Sequence, residues 1–198
     1  MLAKMKEMHQ IPMLQRRIIS GDEQAFRQLY MMLAEPLKQF AYTIIHSKEQ
    51  AEEITEDVFI NLWQSRAGLA DIENIKVYLY VATRNTSLNY LRKKSGRQHH
   101  DITDFAHVEF AASDPNPEQL FITSEMRRRI EEVIQSLPTK CKLIFKMAKE
   151  DRLKYREIAD ILNISVKTID NQLAIALKKI SEAINFKHIK SSKKKGVL

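Results

Sequence analysis

A chain of 198 residues with 44% hydrophobic content can hold one large or two small domains with real cores. Four Gly and five Pro among many Leu, Ile, Ala, Lys and Glu favour helix nearly throughout, and no alternating run demands a strand. A net charge of +7 points to a polyanionic partner, one cysteine excludes an internal disulfide, and no apolar run reaches the length of a signal peptide or membrane span. These features predict an all-α, cytoplasmic protein.

Residues 1–10 show no strong pattern and read as a frayed start, followed by a helix over about 12–19. Residues 20–23 resemble a capping box. The next helix is expected to bury Phe26, Leu29, Tyr30 and Leu33, and a separate one after Pro36 carries Leu37, Phe40, Ala41, Ile44 and Ile45. Ser47 and Gln50 form a second capping-box candidate.

The helix over 48–65 carries two signals. Ala51, Ile54, Val58 and Leu62 line one side, while Glu49, Glu52, Glu53, Glu56 and Asp57 line the other. Ile60 and Trp63 project from the acidic side with Phe59 at its border. Such a face repels phosphate, and its mixture of charge and apolar anchors fits a protein interface. The alternative is a solvated acidic face with Trp63 folded into the core.

Residues 66–74 contain Gly68 and no helical stripe, so they read as a loop before a helix over about 74–94. In that helix Ile75, Leu79, Ala82, Thr86 and Tyr90 form one stripe and Val77, Val81, Leu88 and Leu91 another. Tyr78, Asn85, Asn89 and Arg92 share a strip between them. An aromatic with amides and a guanidinium is the set that stacks on and hydrogen-bonds unpaired bases, and a polar seam inside a bundle explains it equally well. Arg92, Lys93, Lys94 and Arg97 follow as a phosphate-seeking cluster.

From 101 to 119 there are five acidic residues, no Lys or Arg, and the breaker run Ser113 to Pro117, which reads as a linker. His99, His100, Asp101 and His107 are unpatterned, so no metal is assigned. Asn116 caps and Pro117 starts a helix expected to bury Leu120, Met126, Ile130, Val133 and Leu137 until Pro138. Thr139 opens another, striped by Cys141, Ile144, Phe145 and Ala148, which makes Cys141 a core residue.

Residues 155–180 read as a helix-turn-helix. Tyr155, Ile158, Ala159 and Leu162 give the first helix its apolar stripe, residues 163–165 make the turn, and Ser165 caps the second helix. Ile169, Leu173, Ala176, Leu177, Ile180 and Ile184 are expected to face the core. Lys167, Asp170, Asn171, Ala174 and Lys178 fall on the other side, where short polar side chains suit a major groove. An ordinary amphipathic helix pair is the bland alternative. The tail over 187–198 adds Lys193, Lys194 and Lys195. No Walker loop, nucleophile elbow, His-Glu-x-x-His or Cys-x-x-Cys pair occurs, so neither an enzyme nor a cofactor or small-molecule substrate is expected.

In order, the chain contains Asp22-x-x-Ala25-Phe26-x-x-Leu29-Tyr30, then an unbroken motif from Ala51 through Ile60 to Leu62-Trp63, then Tyr78-Leu79-Tyr80-Val81-Ala82-x-x-Asn85 running to Tyr90-Leu91-Arg92. After these come Leu137-Pro138, Tyr155-x-Glu157-Ile158-Ala159-x-x-Leu162-x-Ile164-Ser165-x-x-Thr168-Ile169, and Ala176-Leu177. Together these pieces resemble a bacterial sigma factor of the extracytoplasmic-function group. The resemblance implies two small helical domains, over 10–97 and 118–186, joined by an acidic Pro-containing linker over 98–117. It implies docking on the coiled coil of the largest subunit of core RNA polymerase through Glu53, Glu56, Asp57, Ile60 and Trp63, and contact with the polymerase flap. Residues 66–74 with Tyr78, Tyr80, Asn85, Asn89 and Arg92 would capture the minus-ten element as it melts. Lys167, Thr168, Asp170, Asn171, Ala174 and Lys178 would read the minus-thirty-five element as duplex, although relatives often carry a basic residue where Asp170 stands. Asp170 would then either accept from cytosine or orient Lys167. A membrane-bound anti-sigma factor holds many relatives inactive. The rival reading is a helix-turn-helix regulator that binds duplex DNA without a polymerase role, and a more distant one is a helical RNA-binding adaptor.

Overall fold

The computed structural model describes residues 2–95 and 124–193. The chain divides into two compact units, Met1–Phe105 and Ala106–Leu198, and the described residues of both contain helices and no strand. The linker over 98–117 with His99, His100, Asp101 and His107, the residues Arg97, Asn116, Pro117 and Leu120, and the tail beyond 193 lie outside the described residues.

In the first unit α1 spans Leu2–Ile19 and buries Ile11, Leu14 and Ile18. It begins well before the expected start, because Pro12 sits on the exposed side inside the helix instead of opening it. The corner after α1 differs from the expected capping box. Gly21, at φ +86°, donates its N–H to Ile18 O, and Asp22 donates to Arg17 O, the paired bonds that close a helix through a left-handed residue. Asp22, not Ser20, then caps the next helix by accepting from Ala25 N at 3.0 Å, while Arg17 Nε donates to the same carboxylate at 2.8 Å. Ser20 turns back to Arg17 O.

A single helix, α2 (Glu23–Ile45), replaces the two expected around Pro36. An interior proline costs about 3 kcal/mol. Leu29, Leu33, Leu37, Phe40, Ala41 and Ile44 continue one buried stripe across it, and each large side chain contributes roughly 1.5–3 kcal/mol. Burial therefore outweighs the missing hydrogen bond. Phe26 and Tyr30 are only half-buried.

Ser47 caps α3 (Lys48–Gln64) by accepting from Gln50 N at 3.3 Å, although the Gln50 side chain bonds Glu53 rather than completing a box. The connection after α3, expected as a loop, contains a 3-10 helix over Arg66–Asp71 whose Leu69 is buried. Asn74 caps α4 (Ile75–Ser95) through Val77 N. The buried face of α4 runs through Ile75, Leu79, Tyr80, Thr83, Ser87 and Leu88; Ala82, Thr86 and Tyr90, and Val77, Val81 and Leu91, are half-buried on either side. The α4 core face thus lies between the two expected stripes, against α2 and α3.

In the second unit α5 (Ser124–Gln135), α6 (Thr139–Lys149) and α7 (Tyr155–Leu162) all pack on α8 (Val166–Lys193). Residues 141–147 of α6 are buried without interruption, including Lys142 and Lys146, so α6 is a central helix rather than the one-faced helix expected. Ile134 and Leu137 are buried, whereas Met126, Ile130 and Val133 are half-buried. Cys141 lies in this core with Sγ 3.2 Å from Gln172 O, and burial pushes its thiol pKa up.

Candidate functional site

Three exposed surfaces carry the residues singled out from the sequence. The first is α3, whose apolar stripe is buried and whose Glu53, Glu56 and Asp57 are exposed. Lys38 of α2 pairs with Glu35 at 2.8 Å, which raises the lysine pKa and lowers the carboxyl, and Glu52 adds to the field on Lys38. Among the described residues no basic side chain forms an ion pair with Glu53, Glu56 or Asp57. Ile60 stands on this face at 53% exposure.

Trp63 is fastened at its edge. Its indole lies 5.0 Å from the Phe26 ring, the Arg66 guanidinium covers it at 4.7 Å, and Arg66 also donates to Trp63 O at 2.9 Å. Phe26 and Tyr30 pack on buried Phe59, so an aromatic layer fixes α3 to α2 immediately beneath the acidic face.

The second surface is α4. Tyr78 is 38% exposed, Asn85, Asn89 and Arg92 are exposed, and Arg92 donates to Asn89 Oδ1 at 3.2 Å. Tyr80 does not join them. It is fully buried, with its ring 5.2 Å from that of Phe40. Two residues are about 200° of helical turn, so the register that turns Tyr78 outward turns Tyr80 inward. Arg84 was not legible as a site residue. It is half-buried on the flank of the strip, Nη1 reaches Asn85 Oδ1 at only 3.5 Å, and its buried Nε has no hydrogen-bond partner. Desolvation, then the charge of Arg92, lowers its pKa.

The third surface is the α7–turn–α8 unit. Asn163 takes the left-handed conformation (φ 54°, ψ 50°) that ends α7, and Ile164 N donates to Ala159 O at 3.0 Å. Ser165 Oγ accepts from Thr168 N at 3.1 Å, the cap expected from the sequence. Lys167, Asp170, Asn171, Ala174 and Lys178 are exposed together on α8. Thr168 is half-buried, with its hydroxyl 2.9 Å from that of Ser165. Asp170 makes no ion pair with Lys167 among the described residues.

Two apolar residues depart from the expected core. Tyr155 is 40% exposed and Leu177 is 47% exposed, while Ile169, Leu173 and Ala176 are buried. Leu177 lies about 70° round the helix from the centre of that stripe, enough to put it at the rim. The side chain of Ile184 lies outside the described ones. Among the described residues no group of His, Cys, Asp and Glu could hold a metal ion, and no helix is long and apolar enough to cross a membrane.

Residues 29–97 match the family model for Sigma-70 region 2 and residues 127–180 that for Sigma-70, region 4, together more than half of the chain. The chain is 23% identical over 166 residues to the ECF RNA polymerase sigma factor SigW of Bacillus subtilis, covering 80% of this chain and 88% of that protein. It is 24% identical over 174 residues to the ECF RNA polymerase sigma-E factor of Escherichia coli K12, covering 85% and 91%. Its fold is similar to that of the sigma factor RpoE of Bartonella quintana, solved with the anti-sigma factor NepR (TM-score 0.51, 16% identity, 81% of this chain and 96% of that one). It is similar also to CnrH, solved with the cytosolic domain of CnrY (TM-score 0.50, 18% identity, 87% and 96%).

Proposed function

We propose, because the chain belongs to the sigma-70 family of transcription initiation factors and within it to the extracytoplasmic-function group, that its three exposed surfaces divide the work of promoter selection. Glu53, Glu56, Asp57 and Ile60, with the edge of Trp63, dock on the coiled coil of the largest subunit of core RNA polymerase. Lys167, Asn171, Ala174 and Lys178 read the minus-thirty-five element in the major groove, with Asp170 at the border and Thr168 holding the helix start. Tyr78, Asn85, Asn89 and Arg92, with the connection before them, capture the minus-ten element as single strand, while Arg84 takes a backbone phosphate. The work takes place in the cytoplasm, and an anti-sigma partner that covers these faces keeps the protein inactive; the sigma factor RpoE, of similar fold, was solved with the anti-sigma factor NepR.

Phosphate contacts supply affinity without sequence information, and base contacts supply specificity. Melting needs no ATP on this scheme. A base leaving the duplex loses pairing and stacking worth a few kcal/mol and regains about 1–3 kcal/mol by stacking on an aromatic such as Tyr78, plus amide hydrogen bonds. At an A/T-rich site these terms nearly balance.

The observation that carries the reading is the exposed aromatic and amide strip of α4 in the same unit as an unneutralised carboxylate face. A duplex-only regulator has use for neither. Replacing Tyr78, Asn85 and Asn89 with Ala tests it: closed complexes should form normally, open complexes should fall by roughly 1–3 kcal/mol per stacked base, and a template pre-melted at the minus-ten segment should recover part of the loss. Permanganate reactivity of bubble thymines reads the difference. A triple variant that opens linear DNA as well as the parent makes the strip a polar seam only.

A further inference from the structure

The connection from α3 to α4 has little to hold it. Within it Ala67, Gly68, Ala70, Asp71, Glu73 and Asn74 are exposed, and a Cβ on Gly68 would meet nothing within 4 Å. Leu69, at 1% exposure, is its one buried side chain. Its backbone closes on itself through Gly68 N to Ser65 O at 2.9 Å and Ile72 N to Leu69 O at 3.2 Å. Both are local bonds. They shape the turn without fixing where it sits on the unit.

Apart from buried Leu69 and the contact of Arg66 with Trp63, what ties it down comes from α1. Gln15 Nε2 donates to Leu69 O at 2.8 Å and to Ile72 O at 2.6 Å, across separations of 54 and 57 residues. A primary amide nitrogen carries two hydrogens, and both are used here. Among the described residues no other side chain from a distant helix bonds residues 66–73. The clamp itself is rigid, because buried Leu14 and Ile18 on either side of Gln15 fix α1 in the core. From Ile72 the chain passes directly to the Asn74 cap and the first turn of α4, where Tyr78 stands.

We propose that Gln15 is a positioning residue for minus-ten recognition: it spans the Leu69 and Ile72 carbonyls and so sets the connection and the Tyr78 turn in the register that receives an unpaired base. Gln15 touches no DNA, and acts through the backbone it holds. The inference rests on the assignment of this surface to the melted minus-ten strand.

Three variants of the full chain test it. Gln15→Glu is isosteric but turns acceptor oxygens toward the two carbonyls, Gln15→Lys restores a donor, and Tyr78→Ala reports on the surface itself. In the free protein, Gln15→Glu should speed hydrogen exchange at the Leu69 and Ile72 amides about tenfold and leave the α2 and α3 amides unchanged. With core polymerase, it should keep parental core affinity and minus-thirty-five preference and lose about tenfold of base discrimination across a randomised minus-ten element. Gln15→Lys should regain most of both. If Gln15→Glu keeps parental exchange and discrimination while Tyr78→Ala loses discrimination, the clamp is refuted and the surface assignment stands. If neither variant changes discrimination, the surface assignment has failed and the clamp with it. A loss of discrimination that follows the loss of folded protein, with no recovery in Gln15→Lys, shows a structural role only and overturns the proposal.

Discussion

Ile60 and Phe59 are neighbours in sequence, and replacing each with Ala should produce opposite phenotypes. Ile60 is 53% exposed, so about half of the roughly 1.5–3 kcal/mol available from burying an isoleucine remains to be gained against a partner. Ile60→Ala should therefore weaken binding to core RNA polymerase by about 0.8–1.5 kcal/mol, roughly four- to twelvefold in Kd. Adding Asp57→Asn, which removes an unpaired charge from the same face, should deepen the loss and flatten its dependence on salt. Phe59 is 2% exposed, with its ring 4.8 Å from Tyr30 and 6.1 Å from Phe26, so Phe59→Ala should cost about 3–5 kcal/mol of folding stability. Competition binding with purified core at two salt concentrations, beside thermal melts, separates the two effects. A folded Ile60→Ala, Asp57→Asn double variant that binds core with parental affinity refutes the interface assignment.

Lys167→Ala and Asn171→Ala should each relax preference within the minus-thirty-five element by about 1–3 kcal/mol where a base contact is lost, and an unchanged preference across a randomised element removes them as readers. Arg84→Met deletes a half-buried guanidinium whose Nε has no partner, so it should stabilise the free protein by about 1 kcal/mol while lowering the salt slope of DNA binding by about one phosphate. Lower stability with unchanged DNA binding is the opposite result. The Asp22 carboxyl is held below its ordinary pKa, first by the Ala25 N–H and then by Arg17. Its stabilising effect is present above the unfolded carboxylate value and lost as pH falls through the lower folded value. Asp22→Asn keeps a capping oxygen, so its melts should lack this part of the acid destabilisation; identical pH profiles would assign that acid sensitivity to other groups.

Much of this fold was legible because periodicity is a local signal. The stripe of α3, the Ser47 and Ser165 caps and the exposed polar face of α8 follow from spacing alone. Proline was misleading in both places where it lies inside a helix. Pro12 and Pro36 read as boundaries, and the buried residues that carry α2 across Pro36 act only once α2 packs. Tyr80 shows another failure, since a motif names residues and not their faces, and two positions beyond Tyr78 is nearly the other side of the helix. The continuous burial along α6, including Lys142 and Lys146, arises from its central position. Gln15 and Arg84 carried no signal at all. One polar residue on a helix gains meaning from its partners or its lack of them, and those of Gln15 lie more than fifty residues away.

Run-off transcription by purified core RNA polymerase, with and without this chain, on linear templates randomised through the upstream and minus-ten elements, tests initiation itself. Discrete run-off products should appear only when the chain is present, from templates that share two sequence blocks at a fixed spacing. The same products from core alone, or a chain that binds duplex templates and directs no initiation, would contradict it.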